Sequence, residues 1–438
     1  MTRNPDRADS MQDADAVLIM KCSRCAAAVP GDSLDVECPA CGGLLELAAP
    51  LPSMRGDALR ALFAKRRGSV DGPDASGVWR YRELLAACAD DVVSFPEGNT
   101  PLISAGAAAR WAGCPTLRVK HEGLNPTGSF KDRGMTVGVT HARRLRARAV
   151  ACASTGNTAA SLAAYSARAD MPALVFIPAG KVAMGKLAQE LAYGARTLLV
   201  RGDFDACLSL ARTAARELGV YLVNSINPYR LEGQKTIVLE MLEQCGWQSP
   251  DWIALPAGNL GNTAAFGMAL VAAREYGLIS RLPRLLAVQA DGASPFARAF
   301  DTGFTSLRPV TPNTVATAIN IGDPASYDRA VHAIRETNGV VTSVSDEDIL
   351  DAKAAIDAAG IGCEPASAAS VAGVRRMVRD GVIAPDDDVV CVLTGHLLKD
   401  PDAVVRYHDQ AHAGRGPSNP PREIDPTIDH VRSALDLW

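Results

Sequence analysis

Between residues 95 and 400 the chain alternates short apolar runs with long alanine-rich stretches, and this alternation is the strongest constraint on its fold. The runs TLRVKHE, RAVACAS, PALVFIPA, RTLLVRG, WIALPA, RLLAVQA and VVCVLTG read as strands. The segments between them, such as TAASLAAYSARA and TAAFGMALVAAREYG, have helical length and composition. Strands that alternate with helices predict an α/β fold with parallel sheets covered on both faces.

The rest of the chain divides at its punctuation. Residues 1–20 read as a disordered polar tail, and residues 21–47 as a small module of their own. Residues 48–95 form a proline-punctuated linker that turns helix-forming around YRELLAACADD, and FPEGNTPL at 95–102 opens the main body. After Asp400 a loop leads to a last helix, TIDHVRSALDLW, so that 401–438 is a C-terminal loop and helix.

With 438 residues the chain is long enough for two or three domains. Its net charge of −4 gives no basic footprint for nucleic acid, and no apolar run reaches the length of a membrane span. The first twenty residues carry Asp and Arg early and no long apolar stretch, which reads as no secretory signal. Eleven cysteines, an odd number mostly in apolar stretches, argue for a reducing compartment rather than a disulfide framework, and hence for the cytoplasm.

Four of the cysteines are paired. Cys22-x-x-Cys25, twelve residues, then Cys38-x-x-Cys41 is a spacing that suits one tetrahedral Zn²⁺ held by four thiolates. Two knuckles of this kind organise a module too small to build its own core. The first knuckle, KCSRCAAA, lacks the usual glycine after its second cysteine. A decayed site or a redox pair are the alternatives.

Five segments carry candidate chemistry. In HEGLNPTGSFKDRGM (121–135), Lys131 follows a Pro-Thr-Gly-Ser turn and opens a helix-like run. A lysine amine attacks aldehydes only when positioned and partly desolvated; the plainer reading is a surface lysine at a helix start. GNLGN (258–262) lies between a strand and a helix, where glycines let the backbone approach an anion and the helix N-terminus supplies free N–H groups. It also reads as a simple strand-to-helix turn, but neither a dinucleotide fingerprint nor a Walker lysine motif is present. STGNT (154–158) has the same setting, and helix capping accounts for one of Ser154, Thr155, Asn157 and Thr158 but not for all four. NSINPYRLEGQKT (224–236) is rich in groups that bind oxyanions, though such loops are often solvated turns. VVCVLTGHLLKDP (389–401) ends a strand and turns.

Together these segments resemble the pyridoxal-phosphate enzymes of the tryptophan-synthase-β superfamily (fold type II), and most closely the threonine synthase family. The resemblance runs from about residue 95 to 400, with the five segments in the family's order. It implies two doubly wound domains across a central cleft: a large one of 96–134 and 231–400, and a small one of 135–230. It implies that Lys131 carries pyridoxal 5′-phosphate and acts as the catalytic base. Gly258, Asn259, Leu260, Gly261 and Asn262 would hold the cofactor phosphate, Asn157 its 3′-oxygen, and Thr394 its ring nitrogen. Ser154, Thr155 and Thr158 would hold the substrate, and Asn224, Ser225 and Arg230 a phosphate on it. The implied reaction converts O-phospho-L-homoserine and water to L-threonine and phosphate by γ-elimination and β-addition, in a homodimer. The implied Zn²⁺ is structural. Asn320, Asp323 and Leu397 depart from the family's pattern and leave room for a related enzyme resembling cysteate synthase or threonine dehydratase. A non-catalytic zinc-ribbon protein on nucleic acid is disfavoured by the acidic net charge.

Overall fold

The computed structural model describes residues 18–48, 52–87, 89–180, 187–409 and 419–435. Most of the tail expected at 1–20, together with Cys88, lies outside the described residues. The cysteine module is an antiparallel sheet of β1 (Ile19–Cys22), β2 (Ala28–Pro30) and β3 (Leu45–Leu47) in the order β2-β1-β3. The chain then enters a six-stranded sheet with β4 (Leu102–Ser104) and β5 (Arg118–His121). It leaves for a four-stranded sheet of β6 (Ala149–Ala153), β7 (Ala173–Pro178), β8 (Arg196–Val200) and β9 (Val220–Leu222). It returns to the first with β10 (Trp252–Pro256), β11 (Arg284–Ala290), β12 (Val340–Val344) and β13 (Val389–Leu393).

The large sheet runs β12-β11-β10-β13-β5-β4, parallel throughout except where β4 pairs antiparallel with β5 at the edge. The small sheet runs β8-β7-β6-β9 and is wholly parallel. Its inner strand β6, like β10 and β13, is buried at every residue, as a sheet covered on both faces requires. The two-residue period of a strand sends neighbours to opposite faces. Thus Ile253, Leu255, Val390 and Val392 join one apolar core of the large sheet, and Trp252, Ala254, Val389 and Cys391 join the other.

The seven strands read from the sequence are all present. Three in the main body escaped that reading: β4 and β9 are three residues each, and β12 (VVTSV) carries two hydroxyls. The helix-forming stretch around YRELL is a single 3-10 segment, Trp79–Leu84, kinked at Tyr81. Arg80 and Tyr81 there are bonded to Glu240 and Glu243, so tertiary contacts set its path.

The topology brings distant segments together. β10, β13 and β5 are adjacent, and the strand order changes direction there, the place outside the carboxyl ends where open parallel sheets usually take ligands. β6 and β9 are adjacent in the small sheet.

Candidate active site

All five candidate segments follow one of those adjacent strands. Lys131 comes after β5, Gly258–Asn262 after β10, Thr394 after β13, Ser154–Thr158 after β6, and Asn224–Arg230 after β9.

The lysine turn is built by its own motif. Asp132 folds back to accept the Thr127 backbone N–H at 2.7 Å, the Thr127 hydroxyl at 2.6 Å and the Ser161 hydroxyl at 2.6 Å. Burial still pushes its carboxyl up to about 6. Gly128 has φ +85°, a conformation open to glycine at little cost. The turn is also bonded to the end of β13: Phe130 N–H donates to the Thr394 carbonyl at 3.0 Å and His396 N–H to the Gly128 carbonyl at 2.9 Å. Lys131 opens the helix Lys131–Arg144, its amine 4.1 Å from the centre of the Phe130 ring. Burial lowers that amine to about 7; the Arg230 cation adds to the effect and Glu364 opposes it. A neutral, positioned amine is what aldehyde chemistry requires.

Below that helix lies a buried ionic cluster. Arg133 binds both oxygens of Glu122, at 2.7 and 2.8 Å, and Glu240 at 2.8 Å. Glu240 also accepts from Lys120 at 2.6 Å and Arg80 at 3.1 Å. Those cations hold its carboxyl well below the usual range despite burial. The cluster ties β5 and the lysine helix to the helix Pro228–Gln244.

The loop after β10 needs glycine at 258, because a Cβ there would lie 3.0 Å from the Ile319 Cα. Leu260 adopts φ +64° and heads the helix Gly261–Glu275 without a side-chain cap. A non-glycine residue in this region is strained, a state that functional loops often hold. Both polar atoms of Asn262 and the Thr263 hydroxyl are buried without a partner. The Asn259 amide donates to Ser225, in the loop after β9, and its oxygen accepts the Ala325 N–H at 2.7 Å.

The helix Asn157–Arg168 begins at Gly156 with no side-chain cap, so capping explains none of the four polar residues of STGNT. Ser154 accepts the Gly156 N–H at 3.3 Å. Thr155 and Thr158 are partly exposed. Asn157 donates to both oxygens of Glu364, at 3.0 and 3.3 Å. Thr394 lies 3.4 Å from Glu364 and 3.0 Å from the Ser367 hydroxyl. Glu364 and Ser367 were not singled out from the sequence. Glu364 occupies the N-cap position before Pro365, a place that reads as a helix start and nothing more.

In the loop after β9, Asn224 uses its amide on the Ala153 backbone, at 3.0 and 3.1 Å, and so fastens β9 to β6. Arg230 is buried and donates from Nη1 to the Val223 carbonyl at 3.1 Å, while its Nε and Nη2 have no partner. Of the departures, Asp323 is exposed and Leu397 packs where a Cβ on Gly362 would meet it. The Asn320 side-chain oxygen is buried without a partner.

In the N-terminal module the Sγ atoms of Cys22, Cys25, Cys38 and Cys41 all lie within 4.8 Å of one another. A Cβ on Gly43 would sit 2.7 Å from the Cys22 sulfur, so the chain leaves that space to the thiols. Ala26, in the slot where a glycine is usual, has φ +58°.

The sequence family described as "Pyridoxal-phosphate dependent enzyme" matches residues 93–395. A threonine synthase from Methanosarcina acetivorans is 45% identical over 418 residues, spanning 95% of this chain and 98% of the relative. This chain belongs to the threonine synthase family of pyridoxal-phosphate dependent enzymes. A second member, from Methanocaldococcus jannaschii, is 43% identical over 396 residues, spanning 90% of this chain and 96% of its own. The crystal structure of the Escherichia coli threonine synthase superposes with a TM-score of 0.69 over 96% of this chain and 99% of that one. At 18% identity that likeness speaks for the fold.

The family's cofactor has an aldehyde, a phosphate and a polar aromatic ring, and the groups left unpaired here fit it. The Lys131 amine is held close to neutrality. The uncapped helix start at Gly261 and the unpartnered Asn262 amide form a seat for an anion.

Proposed function

We infer that the chain acts as a threonine synthase, converting O-phospho-L-homoserine and water to L-threonine and inorganic phosphate. The observation that carries this reading is Arg230, a buried cation with two unpaired donor nitrogens, close enough to Lys131 to depress its amine. An unpaired buried guanidinium is costly unless an anion completes it, and its planar fork suits phosphate oxygens.

When bound, pyridoxal phosphate supplies an aldehyde for the substrate amine and a ring that accepts electrons from the α-carbon. The helix start at Gly258–Asn262 would hold its phosphate, Asn157 its 3′-oxygen, and Thr394 its ring nitrogen. Thr394 is neutral, so it does not force a proton onto that nitrogen as a carboxylate would. Lys131 would hold the aldehyde in the resting enzyme. Once displaced, its neutral amine takes the α-proton and returns a proton to that carbon after water has added at Cβ. The γ-carbon to oxygen bond would break toward Arg230 and Ser225, which would hold the departing phosphate, and the proton lost from Cβ would be returned at Cγ to form the methyl group before water adds at Cβ. Ser154, Thr155 and Thr158 would hold the amino-acid end. Asn224 supports this loop through the sheet, since its amide is already engaged.

The four-cysteine cluster would bind one Zn²⁺ in a structural role, remote from the chemistry. Among the described residues no helix is long and apolar enough to cross a membrane. A reducing cytoplasm suits the ten described cysteines, all free. A homodimer is the assembly we propose.

The test is a substrate panel with purified protein, scoring phosphate and amino-acid product together. Release of phosphate with L-threonine from O-phospho-L-homoserine is expected. Preferential turnover of O-phospho-L-serine would replace this reading with a β-replacement enzyme on the same scaffold.

A further inference from the structure

We propose that Glu364 is a positioning residue for the cofactor ring, because one buried carboxyl sets the orientation of both Asn157 and Thr394. The inference rests on the cofactor contacts proposed above for those two residues.

Glu364 stands just before the helix Pro365–Arg379, where a carboxylate ordinarily turns back to cap free N–H groups. Here the side chain makes no cap bond. It points instead toward the two ring-contact residues. Its oxygens accept from the Asn157 amide at 3.0 and 3.3 Å, and the Thr394 hydroxyl lies 3.4 Å from Oε1. The Asn157 amide has two N–H groups, so one can remain on Glu364 while the other serves a ligand. Thr394 is held from its other side by Ser367 at 3.0 Å, whose hydroxyl in turn accepts the Gly395 N–H at 2.9 Å. The chain leaves room for the carboxyl: a Cβ on Gly395 would lie 2.4 Å from its carbon. The backbone closes the loop, with Glu364 N–H donating to the Gly395 carbonyl at 3.1 Å.

A purely structural carboxyl would be expected on the helix start it caps, or paired with a cation. Glu364 does neither, although Lys131 and Lys399 both lie near enough to act on it. Burial raises its carboxyl above the ordinary range, and the bond from Asn157 opposes that.

The experiment compares Glu364→Leu and Glu364→Gln in cofactor affinity and in the visible absorption of bound pyridoxal phosphate, with circular dichroism to confirm folding. Glu364→Leu is expected to weaken cofactor binding by about 10- to 100-fold, the range of a lost bond to a charged or strongly polar group, and to shift the band. Glu364→Gln keeps an oxygen of the same reach that can accept from both Asn157 and Thr394, so it should bind close to the parent. In an Asn157→Ala background, Glu364→Leu should add little, because the two act through one contact. Parental affinity with an unshifted band in Glu364→Leu would overturn the proposal, and so would losses that multiply fully in the double variant. A parent protein that binds no pyridoxal phosphate would overturn the cofactor reading beneath it, a different failure. Should Glu364→Leu not fold, Glu364→Asp, which shortens the reach, serves the same comparison.

Discussion

At the scale of single residues, the candidate site sets engaged side chains, such as Asn157 and Thr394, beside others short of partners, Arg230 and Asn262. Lys131 illustrates how the environment sets reactivity. An ordinary lysine titrates near 10.5, and this one is brought to about 7 by burial and the Arg230 cation. In cofactor-free protein the rate of acetylation of Lys131 should therefore reach half its maximum near pH ~7 rather than above ~10. Peptide mass mapping across pH checks this. The linkage has a definite sign. Between pH 7 and 10.5 the unfolded chain holds this proton and the folded chain does not, so the group makes stability rise with pH through that window. Arg230 gives a second prediction. Arg230→Leu should lower kcat/KM for the phosphorylated substrate by roughly 10²–10³-fold, the scale of a lost charge-stabilising donor. The bound-cofactor spectrum should stay as it was. The candidates Lys131, Asn157, Arg230 and the glycine loop could be singled out in the sequence because they stand in short motifs. Glu364 could not, because its chemistry depends on turning away from the helix it begins, and a sequence does not show where a side chain turns.

At the scale of elements, the lysine helix is held by charge as much as by packing. Glu240 is fully buried and serves three cations, Arg80, Lys120 and Arg133. Glu240→Gln leaves them undercompensated and should cost about 3–5 kcal/mol in urea unfolding, the cost of breaking a buried ion pair from one side. The cluster was invisible in the sequence, since its members are spread from Arg80 to Glu240 and meet only after folding. Strand reading succeeded where apolar runs were five residues or longer, as in β6, β10, β11 and β13. It failed at β4 and β9, where three residues give no period to read. The first cysteine knuckle is a milder case. Ala26 takes a left-handed conformation that disfavours a Cβ by roughly 1–2 kcal/mol, so Ala26→Gly should stabilise the module by up to about that amount. Thermal unfolding of the full chain measures it.

For the whole molecule, the cysteine module joins the two sheet systems. Glu37 pairs with Arg212 over the small sheet at 2.8 Å, and Glu46 with Arg329 over the large one at 3.1 Å. The Tyr229 hydroxyl donates to the Gly31 carbonyl at 2.8 Å in a buried contact. With the proposed Zn²⁺ bound, a module this small would depend on it for order, so chelation should lower the thermal midpoint of the entire chain. A chelator that leaves the midpoint unchanged would show that the thiols need no metal. Alternation of strand and helix made the parallel architecture readable from the sequence. That β10, β13 and β5 would stand side by side was not readable, because strand order is set by crossovers and not by any one segment. Yet that adjacency is what gathers the three loops that follow β5, β10 and β13, as the β6–β9 pairing gathers the other two. The most direct test of the account is borohydride reduction of the cofactor-loaded protein, followed by digestion and mass mapping. The pyridoxyl-phosphate mass is expected on the peptide containing Lys131 and on no other. Modification of a different lysine, or of none, would contradict it.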